Sequence, residues 1–427
     1  MEISKLIDSS NLRKQSIKED VPILNLLLRE MQKLYEKDGE RSTIFAACPN
    51  SFFVLKASLK AAKRAGAPIK FAATLNQVDI DGGYTGWTPD TFVRILKQES
   101  LSIGYTGPIL VAVDHGGPWL KDKHAAERLS YNECMESIKK SFEAMITAGY
   151  DLLHIDPTLD IFNEDIKIET VVNRTVELIS HTEKFIKNNN LRPISYEVGT
   201  EEVKGGLADV SIFNEFLRLL KSELAQNNLS SIWPVFVVGK VGTDLHTTYF
   251  DPELAKKLVE ILKRYGSYLK GHYTDYVSNP HEYPVNGVGG ANIGPEFTSS
   301  EYDAFEELSA LEEHIYKNNF IALKSDFMKT LENAVMKSGR WKKWLRGSEK
   351  DLKSLSSERK KIIIQTSSRY VWAESAVKCA QQQLFDNLKS NGIDAENWVL
   401  MKIEKVMDKY FREFNLIDLM ERIDNNK

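Results

Sequence analysis

Through the first 300 residues, short apolar runs closed by turn residues alternate with longer stretches whose apolar positions recur at helical spacing. The runs read as strands at 44–48, 69–74, 109–114, 152–156, 194–198, 235–239, 268–273 and 290–293. Between them, 51–65, 131–148, 168–188, 210–226 and 252–265 predict amphipathic helices, the last opening on Pro252, where a missing amide costs nothing. Runs without polar alternation suit parallel strands covered on both faces, so eight of them predict a (β/α)8 TIM barrel over 1–300. The rival is an open doubly wound sheet, but the first strand-to-helix turn carries Ala47-Cys48-Pro49-Asn50-Ser51 instead of a glycine fingerprint. Past 300 the strand-like runs nearly vanish, apart from Ile362-Ile363-Ile364, and segments such as 302–317 and 373–389 predict a helical extension, 301–427, packed on the barrel. The stretch 339–361, rich in lysine, arginine, serine and glutamate, reads as a mobile loop or linker.

Composition narrows the class. With 42% hydrophobic and 27% charged residues over 427 positions, the chain can bury a large core. A net charge of -4 and scattered lysines give no field of one sign, which argues against a nucleic-acid partner, and the basic clusters Lys342-Lys343 with Arg346 and Arg359-Lys360-Lys361 read as solvated helix faces. No apolar stretch approaches the roughly 20 residues of a membrane span. Cys48, Cys134 and Cys379 lie far apart and no signal sequence is visible, so the expectation is a cytoplasmic protein whose cysteines pack rather than pair or bind metal.

In a barrel, chemistry gathers where strands end. The run Ile109-Leu110-Val111-Ala112-Val113 delivers Asp114-His115 to a turn, Gly116-Gly117-Pro118. Other strand ends deliver Asn76-Gln77, His154 and Asp156, Glu197, Asp244 and His246, His272 and Asp275, and Asn292 with Gly294. Imidazole and carboxylate suit a divalent ion such as zinc, and His115, His246 and His272 form one such set, with Glu197 as a further or alternating ligand. No pair has a short local spacing of the H-E-x-x-H kind, so that set depends on the fold bringing distant strand ends together. His154, inside Leu152-Leu153-His154-Ile155-Asp156, reads more naturally as a satisfied core histidine. Gly271 and Gly294 are placed where backbone amides can cradle a phosphate, though tight turns explain them equally well. No Walker-type G-x-x-x-x-G-K-[ST] occurs, which leaves nucleotide hydrolysis unsupported.

Thr74-Leu75-Asn76-Gln77, Gly82-Gly83-Tyr84-Thr85-Gly86, Asp114-His115-Gly116-Gly117-Pro118, His154-Ile155-Asp156, Gly199-Thr200-Glu201, Gly271-His272-Tyr273-Thr274-Asp275-Tyr276 and Gly294-Pro295 follow one another as in a known family. They resemble the successive motifs of the non-catalytic Z-type subunit of class II tagatose-1,6-bisphosphate aldolase. The likeness extends into the tail at Ser368-Arg369-Tyr370-Val371-Trp372 and Leu384-Phe385-Asp386-Asn387-Leu388. It implies a TIM barrel and a place in hexitol or amino-sugar catabolism. Some relatives carry a tagatose-6-phosphate kinase label, which the missing phosphate loop does not favour. Family members are described either as partners that stabilise the catalytic aldolase chain or as ketose C4-epimerases.

The chain departs from the Z-type pattern at three places. Tyr196-Glu197-Val198-Gly199 is similar to the Glu-Leu-Gly of catalytic class II aldolases, Gly242-Thr243-Asp244-Leu245-His246 carries an acid and a histidine at altered spacing, and Gly294-Pro295-Glu296-Phe297 replaces a more apolar stretch. The added carboxylates point to an enzyme. The resemblance then implies a zinc-like ion on the histidines polarising a ketose or ketose-phosphate carbonyl, while Asp114, or Glu201 after strand five, moves a hydroxyl proton. Asn76, Gln77 and Asp275 would hold sugar hydroxyls, and Gly271 or Gly294 a phosphate. Cleavage that releases both halves makes an aldolase, and turning the aldehyde before rejoining makes a 4-epimerase. The alternative is a silent subunit that binds a separate class II aldolase chain. A homo-oligomer is compatible with either.

Overall fold

All eight runs become strands: β1 Ile44–Ala47, β2 Ile69–Thr74, β3 Ile109–Gly116, β4 Leu152–Ile155, β5 Ser195–Gly199, β6 Phe236–Val238, β7 Tyr268–Gly271 and β8 Val288–Ile293. In this computed structural model they pair in sequence order, all parallel, and β1 closes on β8 with Ala46 opposite Asn292. The structure describes residues 6–163, 165–199, 207–243 and 248–426. Parallel neighbours need a crossover, and the predicted helices supply most of them, at Phe52–Ala65, Tyr131–Ala148, Ile168–Asn188, Val210–Gln226 and Pro252–Lys263. Their starts are local chemistry: Ser51 accepts from the Val54 amide, Asp251 from Leu254, and Ser130 forms a reciprocal capping box with Glu133. A further crossover helix, Pro89–Ile103, opens on the Thr88 cap.

Two helices precede the barrel, Asn11–Glu19 and Ile23–Asp38, and they close its amino-terminal end. The contact is a buried ionic cluster. Arg13 donates to Asp8, to Asp151 just before β4 and to the Ile109 carbonyl opening β3, while Arg192 donates to Asp151 from the far side. Leu24, Leu27 and Leu28 bury the apolar face of the second helix.

The boundary expected at 300 falls inside one helix, Pro295–Lys317, which leaves the carboxyl end of β8 and carries the chain outward. Helix Ala395–Glu413 lies along Phe52–Ala65, tied by Arg64 to Glu404 and Asp408 and by Lys56 to Glu396. An aromatic stack of Phe53, Phe305, Phe327, Trp372 and Phe385 fills the seam. The three isoleucines at 362–364 lie in helix Ser357–Ser367 rather than a strand, started by Ser356; Ile363 and Ile364 are buried and Ile362 is half exposed. The stretch 339–361 is not a linker. It folds as short 3-10 turns, Arg340–Trp344 and Leu352–Ser354, pinned by Arg340 and Lys343 to Asp122 and by Arg359 to Glu349. Arg340, Lys343, Arg359, Lys360 and Lys361 thus have specific partners, a fact their spacing did not reveal.

Candidate active site

The site begins with a distortion of β3. The ladder to β4 shifts register between Val113 and Gly116, and at that bulge His115 takes φ 50°, the left-handed region that a side chain with a Cβ rarely adopts. Such backbone costs about 1–3 kcal/mol and is kept where surroundings compel it. Here Gly117 is the compulsion: a Cβ on it would stand 1.8 Å from the Asp156 carbonyl oxygen, so only glycine lets the ends of β3 and β4 come this close. The approach lets the His115 amide donate to Nδ1 of His154 at 3.1 Å, and joins Nδ1 of His115 to Asp156 at 2.6 Å. Asp156 is itself steadied by the Thr158 hydroxyl.

His272, two residues inward-facing beyond Lys270 on β7, completes a triangle of imidazoles. Ring centroids lie 4.9 Å apart for His115 and His154, 4.7 Å for His115 and His272, and 5.2 Å for His154 and His272. Asp114 joins them, its Oδ1 3.3 Å from His154 Nδ1 and 3.7 Å from His272 Nε2. Together the four offer ligand atoms within 4.8 Å of one another. Burial would push the Asp114 carboxyl up, but the charges of His115 and His272 and the contact with His154 override it and hold it well below the ordinary range. Burial lowers the His154 pKa and keeps its ring neutral, the form that binds metals. Its Nε2 is buried without a hydrogen-bond partner among the described residues.

A second polar layer lies beneath, inside the barrel. Glu197 on β5, the ladder partner of His154, receives Lys70 from β2 at 3.2 Å and Lys270 from β7 at 3.3 Å, and meets His272 Nε2 at 3.1 Å. Both ammoniums also lie over the Phe236 ring, at 5.3 and 5.6 Å. Despite its complete burial Glu197 stays far below its usual pKa because Lys270 and Lys70 face it, and Lys70 is pushed down by burial to about 8. Glu197 therefore stands outside the ligand set expected for it: its oxygens are taken by two lysines and a histidine, which makes it the carboxylate that orients His272.

The other expected residues divide. His246 and Glu201 lie outside the described residues. Asn76 and Gln77 line the cavity above the histidines, yet their amides are spent on loops: Asn76 donates to Leu120 and accepts from Asp122, and Gln77 accepts from Thr74 and donates to Pro49 and Asn50. These bonds fix both side chains at the rim of the cavity. Gly294 already gives its amide to Asp275, so it does not present the phosphate cradle expected of it, and the space beside the Gly271 Cα is filled by the Tyr283 ring. Asp275 accepts from the Gly294 and Glu296 amides at the start of helix Pro295–Lys317, and burial raises its carboxyl to about 7.

Sequence reading missed three groups. His154 was assigned to the core because apolar neighbours flank it, whereas an inward strand position at a barrel's carboxyl end is also a site position. Lys70 is the one charged residue of its strand, a signal visible in the sequence. Arg340, Lys343, Trp344, Arg369 and Tyr370, all from the extension, roof a cavity of about 230 Å3 whose floor is Asp114, His115 and His272. No local pattern says that a tail folds back over a barrel mouth.

Among the described residues no helix is long and apolar enough to cross a membrane, and the three cysteines are free. A probable tagatose 6 phosphate kinase from Sinorhizobium meliloti 1021 has the same fold, with a TM-score of 0.73 at 22% identity over 87% of this chain and 100% of that one. A fructose-bisphosphate aldolase from Campylobacter jejuni follows it more loosely, with a TM-score of 0.53 at 11% identity over 92% and 95%. At such identities these likenesses show the barrel and its helices. The sequence itself goes further: residues 28–413 match the model of the GatZ/KbaZ-like D-tagatose-1,6-bisphosphate aldolase subunits, and the chain belongs to that family.

Proposed function

We propose that this protein carries out metal-dependent retro-aldol chemistry, as aldol cleavage or C4 epimerisation, on a ketose or ketose phosphate. The observation that carries the reading is the triangle of His115, His154 and His272 beside Asp114, whose ligand atoms lie within 4.8 Å of one another. Three imidazoles, with Asp156 behind His115 and Glu197 behind His272, are a donor set suited to zinc or a similar divalent ion, and three protein ligands leave a position open for substrate. Bound there, the ion would supply Lewis acidity toward the ketose carbonyl.

The chain's own groups do the rest. Asp114, ionised and at the cavity floor, accepts the proton of the C4 hydroxyl whose loss starts cleavage between C3 and C4. Run backward, it returns that proton when the halves rejoin. Asp275, poised near pH 7 with one oxygen tied to two amides, is suited to hydrogen-bond a sugar hydroxyl in either protonation state. The extension roofs the cavity and excludes water from a reactive carbanion.

A second reading, a subunit that stabilises a separate class II aldolase chain in the cytoplasm, is favoured by the family description itself. Metal separates the two. Protein stripped with a chelator and reloaded with zinc or manganese is incubated with fructose, tagatose and their phosphates, and products are followed by NMR. Trioses indicate an aldolase and hexose interconversion an epimerase, each lost in Asp114→Asn. A protein that neither takes up a divalent ion nor turns over any of these sugars refutes the enzyme reading and leaves the partner subunit.

A further inference from the structure

Arg369 stands out among the charged groups of the molecule. It is 9% exposed, yet no carboxylate pairs with it among the described residues. Its Nε donates to the Thr366 carbonyl at 2.8 Å, and its Nη2 is buried without a hydrogen-bond partner among the described residues. The guanidinium lies 5.0 Å from the Trp344 ring centroid and 5.9 Å from that of Tyr370, so aromatic faces fix its plane without neutralising it. A buried guanidinium held this way is costly unless an anion completes it. It also lines the cavity whose floor is Asp114, His115 and His272.

Neighbouring charges agree with an anion there. Arg340 and Lys343 on the same roof share one carboxylate, Asp122, which leaves a formal surplus of one positive charge beside Arg369. Asp275, whose carboxyl feels the charge of Arg369, makes no ion pair with it and has an oxygen committed to the Gly294 and Glu296 amides. The Gly294 amide, one of those expected to hold a phosphate, is already engaged by Asp275.

We propose that Arg369, carried by the helical extension, is the anion-binding residue of the barrel mouth, and that its ligand is the phosphate of a phosphorylated sugar whose other end lies over the histidines. A guanidinium fork matches phosphate oxygens bidentately, and the extension thereby selects phosphorylated over neutral sugars. The inference deepens the ketose-phosphate reading above and rests on it for the sugar, though not for the anion.

The test uses full-length, chelator-stripped protein, so that turnover plays no part. Titration calorimetry with inorganic phosphate, fructose 6-phosphate and fructose should show one site for the first two, tighter for the sugar phosphate, and none for fructose. Arg369→Gln should weaken phosphate at least about tenfold, the loss of a charge-assisted pair, and Arg369→Lys should weaken it less. Crystals of the unaltered protein soaked in tungstate, a heavy phosphate analogue, should show an anomalous peak beside Arg369, a readout independent of whether either variant folds. Phosphate affinity unchanged in a folded Arg369→Gln, or tungstate found only elsewhere, overturns the proposal. Inorganic phosphate binding with no binding of the sugar phosphate overturns the sugar part. If Arg369-dependent binding appears but loaded protein turns over no ketose, the retro-aldol reading fails and this site stands; turnover of a ketose phosphate indifferent to Arg369→Gln does the reverse.

Discussion

Replacing Lys70 by methionine should make the protein more stable at neutral pH. Lys70 and Lys270 share a single carboxylate, Glu197, inside the barrel, so the trio carries a formal charge of plus one in a place water does not reach. Burial depresses the Lys70 pKa from its ordinary 10.5 to about 8. At roughly 1.4 kcal/mol per pH unit, that drop means about 3 kcal/mol by which the fold disfavours the protonated lysine. The penalty is fully present below about pH 8, where both states are charged, and shrinks as the unfolded chain, holding its proton up to about 10.5, loses that difference. Methionine fills a similar volume beside Phe236, and Glu197 keeps Lys270 and His272 as partners, so no buried charge is orphaned. Lys70→Met should therefore gain up to about 3 kcal/mol over the unaltered protein at pH 7, with the gain fading between pH 8 and 10.5. Urea unfolding of both proteins at pH 7 and pH 10 measures it. A variant that loses more than about 1 kcal/mol at pH 7, or whose advantage is the same at both pH values, would refute the reasoning by showing that the Lys70–Glu197 pair outweighs its desolvation.

Three further outcomes follow from the geometry. His154→Ala should weaken zinc binding by about a hundredfold in calorimetry, and an unchanged affinity would remove His154 from the ligand set. Arg13→Ala leaves Asp8 and part of Asp151 unpaired at the barrel floor and should cost about 3–5 kcal/mol in urea unfolding; a loss under about 1 kcal/mol would mean that Arg192 alone satisfies the cluster. Gly117→Ala must push the end of β4 away, because its Cβ would meet the Asp156 carbonyl at 1.8 Å. It should destabilise by about 1–3 kcal/mol and lower zinc affinity at least about tenfold, whereas unaltered zinc binding would show that the two strand ends need not approach.

Strand and helix order was legible in the sequence because it depends on nearest neighbours: apolar runs such as 109–114, caps such as Ser130 with Glu133, and Pro252 at a helix start act over a few residues. The eightfold alternation then implied the closed barrel, and strand-end position marked Asp114, His115, His154 and His272 along with Asn76, Gln77, Glu197 and His246. What the sequence could not decide is which way a polar side chain spends its hydrogen bonds. Asn76 and Gln77 look like ligands and are loop clamps, while His154 looks like core and faces its two fellow imidazoles. Glu197 was marked as a ligand, but Lys70, 127 positions away along the chain, claims it from across the barrel. The roof was equally out of reach of local pattern. Arg369 meets the cavity only because residues 295–426 fold back over the mouth, and such closure is set by packing between distant surfaces, which periodicity along the chain does not encode.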